Sequence, residues 1–169
     1  IQGSFCVDTA DCTEETCTCP VFCPAYTIEP LGEMNRALAL NDLGQVAGRY
    51  GVGGNFAAMW DGSQMIWHQA PGEKEARAIN NAGQVVGRWP AVLWFNGTMS
   101  FLPSFPPGGE SGALGINESG EIVVYSGGGW PAHWFNGTVT NLATSIGFVG
   151  RARDINNLGH IVGGRSFWD

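Results

Sequence analysis

The side chains best suited to acid–base or metal chemistry are three histidines, and their spacing does not form a site. His68, His133 and His160 do not fit the His-x3-His or His-Glu-x2-His patterns that place two ligands on one helix. His160 occupies the position that Gln45 and Gln84 fill in other copies of an internal repeat, which indicates a structural surface residue. No Gly-x-Ser-x-Gly elbow or phosphate-binding glycine loop precedes a helix. We therefore expect no enzymatic activity and no cofactor.

Cysteines are confined to the first 23 residues of the chain. Their gaps contain no Cys-x2-Cys pair and no histidine lies among them, so disulfides are favoured over a zinc site. Disulfides predict an extracellular or cell-surface protein, and a chain that begins at Ile1 is expected of a secreted protein whose signal segment has been removed. The odd number predicts one leftover thiol or an intermolecular bond. The cysteines are Cys6, Cys12, Cys17, Cys19 and Cys23.

Four carboxylates are interleaved with these cysteines: Asp8, Asp11, Glu14 and Glu15. Hard oxygen ligands at such spacing could wrap a calcium ion. A solvated acidic loop is the simpler interpretation, and we favour it over a metal site.

The overall charge balance excludes some classes of partner. The net charge is −7, from 8 basic and 15 acidic residues, so no basic surface is expected for nucleic acid. No apolar run reaches the length of about 18 residues that a membrane-spanning helix needs, so we expect no membrane insertion. Charged residues make up only 14% of a chain that has 26 glycines, which favours short strands and tight turns over solvated helices.

An internal repeat organises most of the chain. Four asparagines, Asn41, Asn80, Asn117 and Asn156, are separated by 39, 37 and 39 residues, and each is followed three residues later by glycine. An apolar strand precedes each asparagine and a second follows the glycine, which predicts a hairpin on a type I turn with a left-handed glycine. A third strand ends in tryptophan, and a fourth follows an Asn-Gly or Asp-Gly pair.

Two further kinds of turn are predicted in the repeats. The pairs that are expected to form type I′ turns are Asp61-Gly62, Asn96-Gly97 and Asn136-Gly137. The glycine clusters at 51–54 and 127–129 are expected to connect one blade to the next.

These features predict an all-β fold, a small four-bladed β-propeller of four-stranded repeats about 39 residues long. The fourth repeat reaches Phe167-Trp168-Asp169 without its last strand, and a detached strand begins at Tyr26. We expect this strand to complete the last blade, of the same chain or of a neighbour. The predicted division is a disulfide-rich arm over 1–24 and a propeller over 25–169.

The repeat motif resembles the HAF repeats of bacterial extracellular proteins, over residues 26–169. The resemblance implies secretion or surface display and a propeller-like fold, and no particular activity. In the second repeat it is carried by Ala76, Ile79, Asn80, Gly83, Val85, Val86, Gly87, Trp94, Asn96 and Gly97.

Tryptophans and glycosylation sequons are the remaining candidate sites. One tryptophan recurs at the same position of each repeat and is expected to fill the seam between blades: Trp60, Trp94, Trp134 and Trp168. The tryptophans outside this pattern are candidates for exposed, ligand-facing aromatics: Trp67, Trp89 and Trp130. The three Asn-x-Ser/Thr sequons fall in turns expected to be exposed, at Asn96, Asn117 and Asn136.

Two functions remain open. We favour a structural protein that self-associates, a surface or filament subunit whose N-terminal arm contacts a neighbour. The detached strand, the odd cysteine and the lack of a catalytic constellation motivate this reading. The alternative is a multivalent carbohydrate-binding, lectin-like protein, for which fourfold repetition and surplus tryptophan would supply several weak glycan sites.

Overall fold

A computed structural model describes residues 2–3, 26–27, 30–51, 56–67, 75–103, 110–147 and 149–165. The chain divides into two compact units, Ile1–Leu31 and Gly32–Asp169. In the first unit, strands β1 (Gln2–Gly3) and β2 (Tyr26–Thr27) pair antiparallel, a pairing that sequence analysis did not predict. The predicted disulfide and calcium residues lie outside the described residues: Cys6, Asp8, Asp11, Cys12, Glu14, Glu15, Cys17, Cys19 and Cys23.

In the second unit, the first repeat forms a four-stranded antiparallel sheet with its strands in chain order. These strands are β3 (Met34–Leu40), β4 (Val46–Tyr50), β5 (Phe56–Trp60) and β6 (Met65–Trp67). The predicted count of four strands per repeat is confirmed here.

The second and third repeats follow the same plan and join into one eight-stranded sheet. The strands of the second repeat are β7 (Glu75–Ile79), β8 (Val85–Arg88), β9 (Val92–Phe95) and β10 (Thr98–Phe101). Those of the third are β11 (Ser111–Ile116), β12 (Ile122–Ser126), β13 (Trp130–Phe135) and β14 (Thr138–Asn141). The strand pairing between the two repeats consists of one residue pair, Arg88 with Gly112.

The described part of the fourth repeat is its first hairpin, β15 (Gly150–Ile155) and β16 (Ile161–Arg165). Trp168 and the rest of this repeat lie outside the described residues. A single-turn helix, α1 (Ala143–Ile146), precedes the hairpin and was not predicted. It forms because the Asn141 side chain accepts the Ala143 N–H at 2.9 Å and Gly147, with φ 73°, ends the turn.

The first strand of every repeat carries the same irregularity in its pairing. The register shifts lie between Ala37 and Ala39, Ala76 and Ala78, Ala113 and Gly115, and Ala152 and Asp154. A bulge of this kind increases the local twist of the strand pair. The bulge recurs in a sheet that is curled. The predicted all-β class is confirmed.

Most of the predicted turns are confirmed. The four glycines that follow the repeated asparagines have φ between 75° and 79°: Gly44, Gly83, Gly120 and Gly159. In the Asn-Gly pairs both residues have positive φ, as a type I′ turn requires: 49° and 72° at 96–97, and 47° and 81° at 136–137.

The type I′ prediction is wrong at Asp61-Gly62, where only the glycine has positive φ. The Asp61 carboxylate accepts the backbone N–H groups of Gln64 and Ser63, each at 2.9 Å. These bonds shape a wider turn between Trp60 and Met65, which are paired across β5 and β6. The same bonds lower the pKa of Asp61 to about 2.

The glycine-rich segments do not connect blades, contrary to the prediction. Residues 127–129 join β12 to β13 inside the third repeat, with Gly129 donating to the Ser126 carbonyl at 3.0 Å. Gly51 likewise lies between β4 and β5, while residues 52–55 are outside the described part. Positive φ at Gly128 and Gly129 permits this tight turn within one sheet.

Buried apolar side chains lie in the seams between consecutive repeats. The first seam packs Ala47 of the first repeat against Ile79 and Trp94 of the second. Two further seams pair Val86 with Ile116 and Val123 with Ile155. The predicted seam position of the recurring tryptophan is confirmed for Trp94, which is buried, and Trp134 packs partly buried against the second seam. Trp60 is half-buried.

Gly87 is expected to tolerate no side chain, although its φ is not positive. A Cβ there would meet the Glu75 carbonyl oxygen and lie 2.6 Å from the Trp94 ring. We expect Gly87→Ala to lower the free energy of unfolding by roughly 2–3 kcal/mol, measured by chemical denaturation. Gly164→Ala is the matched control, because a Cβ at Gly164 meets nothing within 4 Å. Equal stability of the two variants would contradict this packing.

Candidate functional site

The two histidines that the structure describes belong to no metal-binding cluster. His133 Nε2 is 3.4 Å from a carboxylate oxygen of Glu121, and exposed His160 lies 3.5 Å from the Asn156 side chain. The surface position predicted for His160 is confirmed. Among the described residues, no three His, Cys, Asp or Glu side chains are grouped to hold a metal ion. His68 is outside this part of the chain.

Of the three candidate ligand-facing tryptophans, Trp89 is exposed as predicted. The Arg88 guanidinium lies 3.7 Å from the centroid of its ring, a cation–π contact. Trp130 is half-buried at the start of β13, and the Trp67 side chain falls outside the described part. Of the three candidate tryptophans, only Trp89 is exposed among the side chains that the structure describes.

The sequons differ from one another. Asn96 and Asn136 are exposed at the tips of hairpins, as predicted. The prediction is wrong for Asn117, which is buried at 3% exposure. Its Nδ2, the atom to which an N-linked glycan would attach, donates to Glu121 and to the Asn156 carbonyl.

Asn117 is buried because it belongs to a ladder that runs through all four repeats. We call Asn41, Asn80, Asn117 and Asn156 the asparagine ladder. The side-chain Nδ2 of each of the first three donates to the backbone carbonyl of the next, at 3.0, 3.0 and 3.1 Å.

Each ladder side chain also closes its own turn. Its Oδ1 accepts the backbone N–H four residues later at 2.9–3.0 Å, in all four repeats. One amide therefore fixes a turn and binds the following repeat, so its donor and acceptor are both satisfied while buried. The recurring asparagines were predicted only as turn residues; their recurrence in every repeat was the available signal.

A second set of bonds runs beside the ladder, one residue later in each repeat. The backbone N–H of Asp42 donates to the Asn81 side chain at 2.9 Å, and that of Asn81 to the Glu118 carboxylate at 3.0 Å. Glu118 N–H donates in turn to the Asn157 side chain at 3.0 Å. The direction is constant, since each backbone donor belongs to the earlier repeat and each acceptor to the later one.

Burial at equivalent repeat positions identifies two uncovered faces. Val162 is 62% exposed, whereas its equivalents Val86 and Val123 are 0% exposed. Leu40 is 68% exposed, whereas its equivalents Ile79 and Ile155 are at most 8% exposed. We call Ala37, Leu40 and Asp42 the leading face, and Val162, Asn156 and Asn157 the trailing face.

The first seam also holds an ion cluster. The Glu75 side chain is fully buried, and four guanidinium groups lie within 4 Å of its carboxylate, the shortest approach being 2.6 Å from Arg88 Nε. The others are Arg36, Arg49 and Arg77, at 3.7, 3.6 and 3.4 Å. A buried carboxylate needs such partners, and here the cations exceed the anion by three.

Comparison with known proteins returned no match: no protein-family model, curated protein or solved structure is significantly similar to the chain. The resemblance to HAF repeats accordingly stays a prediction from the motif. The helix that the structure describes is too short to span a membrane.

Removing one rung from the middle of the ladder is expected to destabilise the protein. Asn80→Ala deletes the bonds to Gln84 and to the Asn117 carbonyl at a buried position. We expect the free energy of unfolding to fall by roughly 3 kcal/mol, measured by chemical denaturation. Asn156→Ala, at the exposed end of the ladder, is the control and should cost far less in dilute solution. An equal fall in the free energy of unfolding of the two variants would contradict the claim that the ladder stabilises the seams.

A glycan is expected only at sequons whose asparagine amide is exposed. In protein secreted from a glycosylating host, glycopeptide mass spectrometry should find modification at Asn96 and Asn136 and none at Asn117. A folded protein with full occupancy at Asn117 would contradict the buried ladder, because a glycan replaces one of the two amide hydrogens that Asn117 donates and needs space that a buried side chain lacks.

Proposed function

We propose that this protein is an extracellular structural subunit that assembles head to tail, with the trailing face of one copy on the leading face of the next. The observation that carries the proposal is the exposure of Val162 and Leu40, whose equivalents form the buried seams within the chain. A pair of faces that differ from each other makes a heterologous contact, which generates filaments or rings.

The apolar parts of the two faces match by repeat equivalence. Within the chain, Val86 packs against Ile116 and Val123 packs against Ile155. The same register places Val162 of one copy against Leu40 of the next. Fully burying one such side chain stabilises by about 1.5–3 kcal/mol, so several contacts of this kind favour association.

The polar parts of the faces match as well. Asn156 Nδ2 would continue the ladder by donating to the Asn41 carbonyl of the next copy, as Asn117 does to Asn156. The Asn157 backbone N–H would donate to the Asp42 carboxylate, as Asn81 N–H does to Glu118. Asp42 would then accept this bond in addition to the one that its Oδ2 accepts from Asn81 Nδ2 at 2.8 Å. A charged acceptor strengthens this last bond and gives the contact its direction.

Closure within one chain is the competing arrangement of the same faces. A four-bladed propeller whose last blade is completed by the strand from Tyr26 would bury the leading and trailing faces against each other. The present exposure of both Leu40 and Val162 favours contact between copies over closure within one chain. The N-terminal arm over 1–24 would then contact a neighbour, and its odd cysteine could link two copies covalently.

The resemblance to HAF repeats and the cysteine-rich arm support an extracellular location. The alternative, multivalent carbohydrate binding, draws support from exposed Trp89. However, the equivalents of Trp89 in the other repeats are Tyr50, Ser126 and Arg165, so the feature is not multiplied fourfold.

A charge on either face is expected to block assembly. The wild-type protein should form higher oligomers in sedimentation velocity, measured with and without reductant to separate the contribution of the arm. Leu40→Asp and Val162→Asp should each sediment as monomers or as reductant-sensitive dimers. Phe101→Asp is the control, because Phe101 is equally exposed but lies on β10, outside both faces. A monomeric wild type over a wide concentration range would contradict the proposal and favour closure within one chain.

A further inference from the structure

An apolar groove lies beside β16, at the seam between the third and fourth repeats. Its volume is about 270 Å³. Pro131 and Leu142 of the third repeat line one side, and Ala152, Ile161 and Gly163 of the fourth line the other. Both repeats therefore contribute to the groove, as they do to the buried seams.

The equivalent groove of the second seam is filled by the third strand of the following repeat. Ala132 and Trp134 of β13 pack there against residues at the positions equivalent to those named above. These are Ala91, Leu102, Ala113, Ile122 and Val124. In the first seam, Val92 and Trp94 of β9 occupy the same place. The groove therefore fits a small apolar side chain followed two residues later by tryptophan.

The edge of β16 beside this groove is unpaired among the described residues. β16 pairs with β15 alone, whereas its equivalents β4, β8 and β12 each have a strand on both sides. Ile161 is half-buried, whereas its equivalents Val85 and Ile122 are fully buried. A strand edge next to an apolar groove can accept an added strand, because backbone hydrogen bonds supply affinity and the groove selects the side chain.

Trp168 of the same chain does not reach this groove while β16 keeps its pairing. The tryptophan belongs opposite Ile161, since Trp134 is paired opposite Ile122. β16 is paired with β15 as far as Arg165, and Trp168 follows three residues later. The tightest hairpin would bring Trp168 opposite Arg165, about 13 Å along the strand from Ile161. The tryptophan must therefore come from another polypeptide.

A second copy of the chain offers no matching strand. Residues 1–31 contain no tryptophan. The segment that ends in Trp168 would bring a second Arg151 and Arg165 to a groove that these two arginines already line, and like charges repel. The same charges favour a strand with a carboxylate four residues before its tryptophan, because that position lies opposite Arg165 in an antiparallel pair.

We propose that β16 and this groove form an acceptor site for an extended segment of a partner protein. The segment runs antiparallel to β16 and carries Asp or Glu, a small apolar residue two positions later, and Trp two positions after that. The small residue packs over Gly163, as Ala132 is paired opposite Val124 in the second seam. The tryptophan fills the groove beside Ile161. The inference does not depend on head-to-tail assembly.

The test is a calorimetric titration of the whole chain with the synthetic peptide Glu-Thr-Val-Thr-Trp-Thr, which should bind. Replacing its Trp by Ser should weaken binding about tenfold or more, because the groove then stays unfilled. Replacing its Glu by Lys should also weaken binding. N-methylation along one edge of the peptide should abolish binding, and along the other edge it should have little effect, because an added strand pairs through one edge only.

Variants of the protein locate the bound peptide. Ile161→Ala should weaken binding, whereas Leu40→Asp, on the leading face, should bind the peptide as the wild type does, which separates this site from assembly. Trp168→Ser should likewise leave binding unchanged. Tighter binding by Trp168→Ser would identify the chain's own segment as the occupant and overturn the proposal. Absence of binding, equal binding of the Trp and Ser peptides, or an equal effect of N-methylation on both edges would overturn it as well.

Discussion

The hydrogen bond from an asparagine side chain to the backbone carbonyl of the next repeat is the interaction on which the structure depends. Its donor and acceptor both belong to turns, so it fixes the relative position of two hairpins at one point. The apolar side chains of the two repeats then pack against each other in a fixed register. The interval between successive asparagines varies from 39 to 37 residues without disturbing the ladder. The shorter second repeat has tighter turns inside it, since β8 ends at Arg88 and β9 begins at Val92, whereas β4 ends at Tyr50 and β5 begins at Phe56. Repeat proteins of this type gain stability mainly from such nearest-neighbour interfaces.

Carboxylates and arginines lie at opposite ends of the first two strands, in the repeats that carry them. The turn edge, next to the ladder, carries Asp42, Glu118 and Glu121, whose carboxylates accept bonds or lie in the seams. The opposite edge carries arginines, with Arg36 paired across from Arg49 and Arg88 across from Glu75. The two edges therefore have different roles: the turn edge sets how repeats join, and the arginine edge of the first seam holds the buried Glu75 carboxylate.

Much of the fold could be predicted because its signals are local and repeated. Asn96-Gly97 specifies its turn by φ alone, and the β-branched pair Val85-Val86 after the turn favours a strand. The failures have long-range causes. Asn117 matches a sequon and a turn, but its burial depends on the carbonyl of Asn156, 39 residues away. Glu75 and Arg49 are ordinary polar residues in the sequence, and only packing of two repeats brings them together. The uncovered faces likewise emerge from burial compared between equivalent positions, which no pattern of residue types contains.

The most direct test of the head-to-tail account is to mix two variants that are each damaged on one face. Leu40→Asp keeps an intact trailing face, and Val162→Asp keeps an intact leading face. Native mass spectrometry of the mixture, in reductant and with one variant isotope-labelled, should show a dimer that contains one copy of each variant and nothing larger. Neither variant alone should form this dimer. A mixture that stays monomeric, or that forms dimers of identical copies, would contradict the central claim that the trailing face binds the leading face.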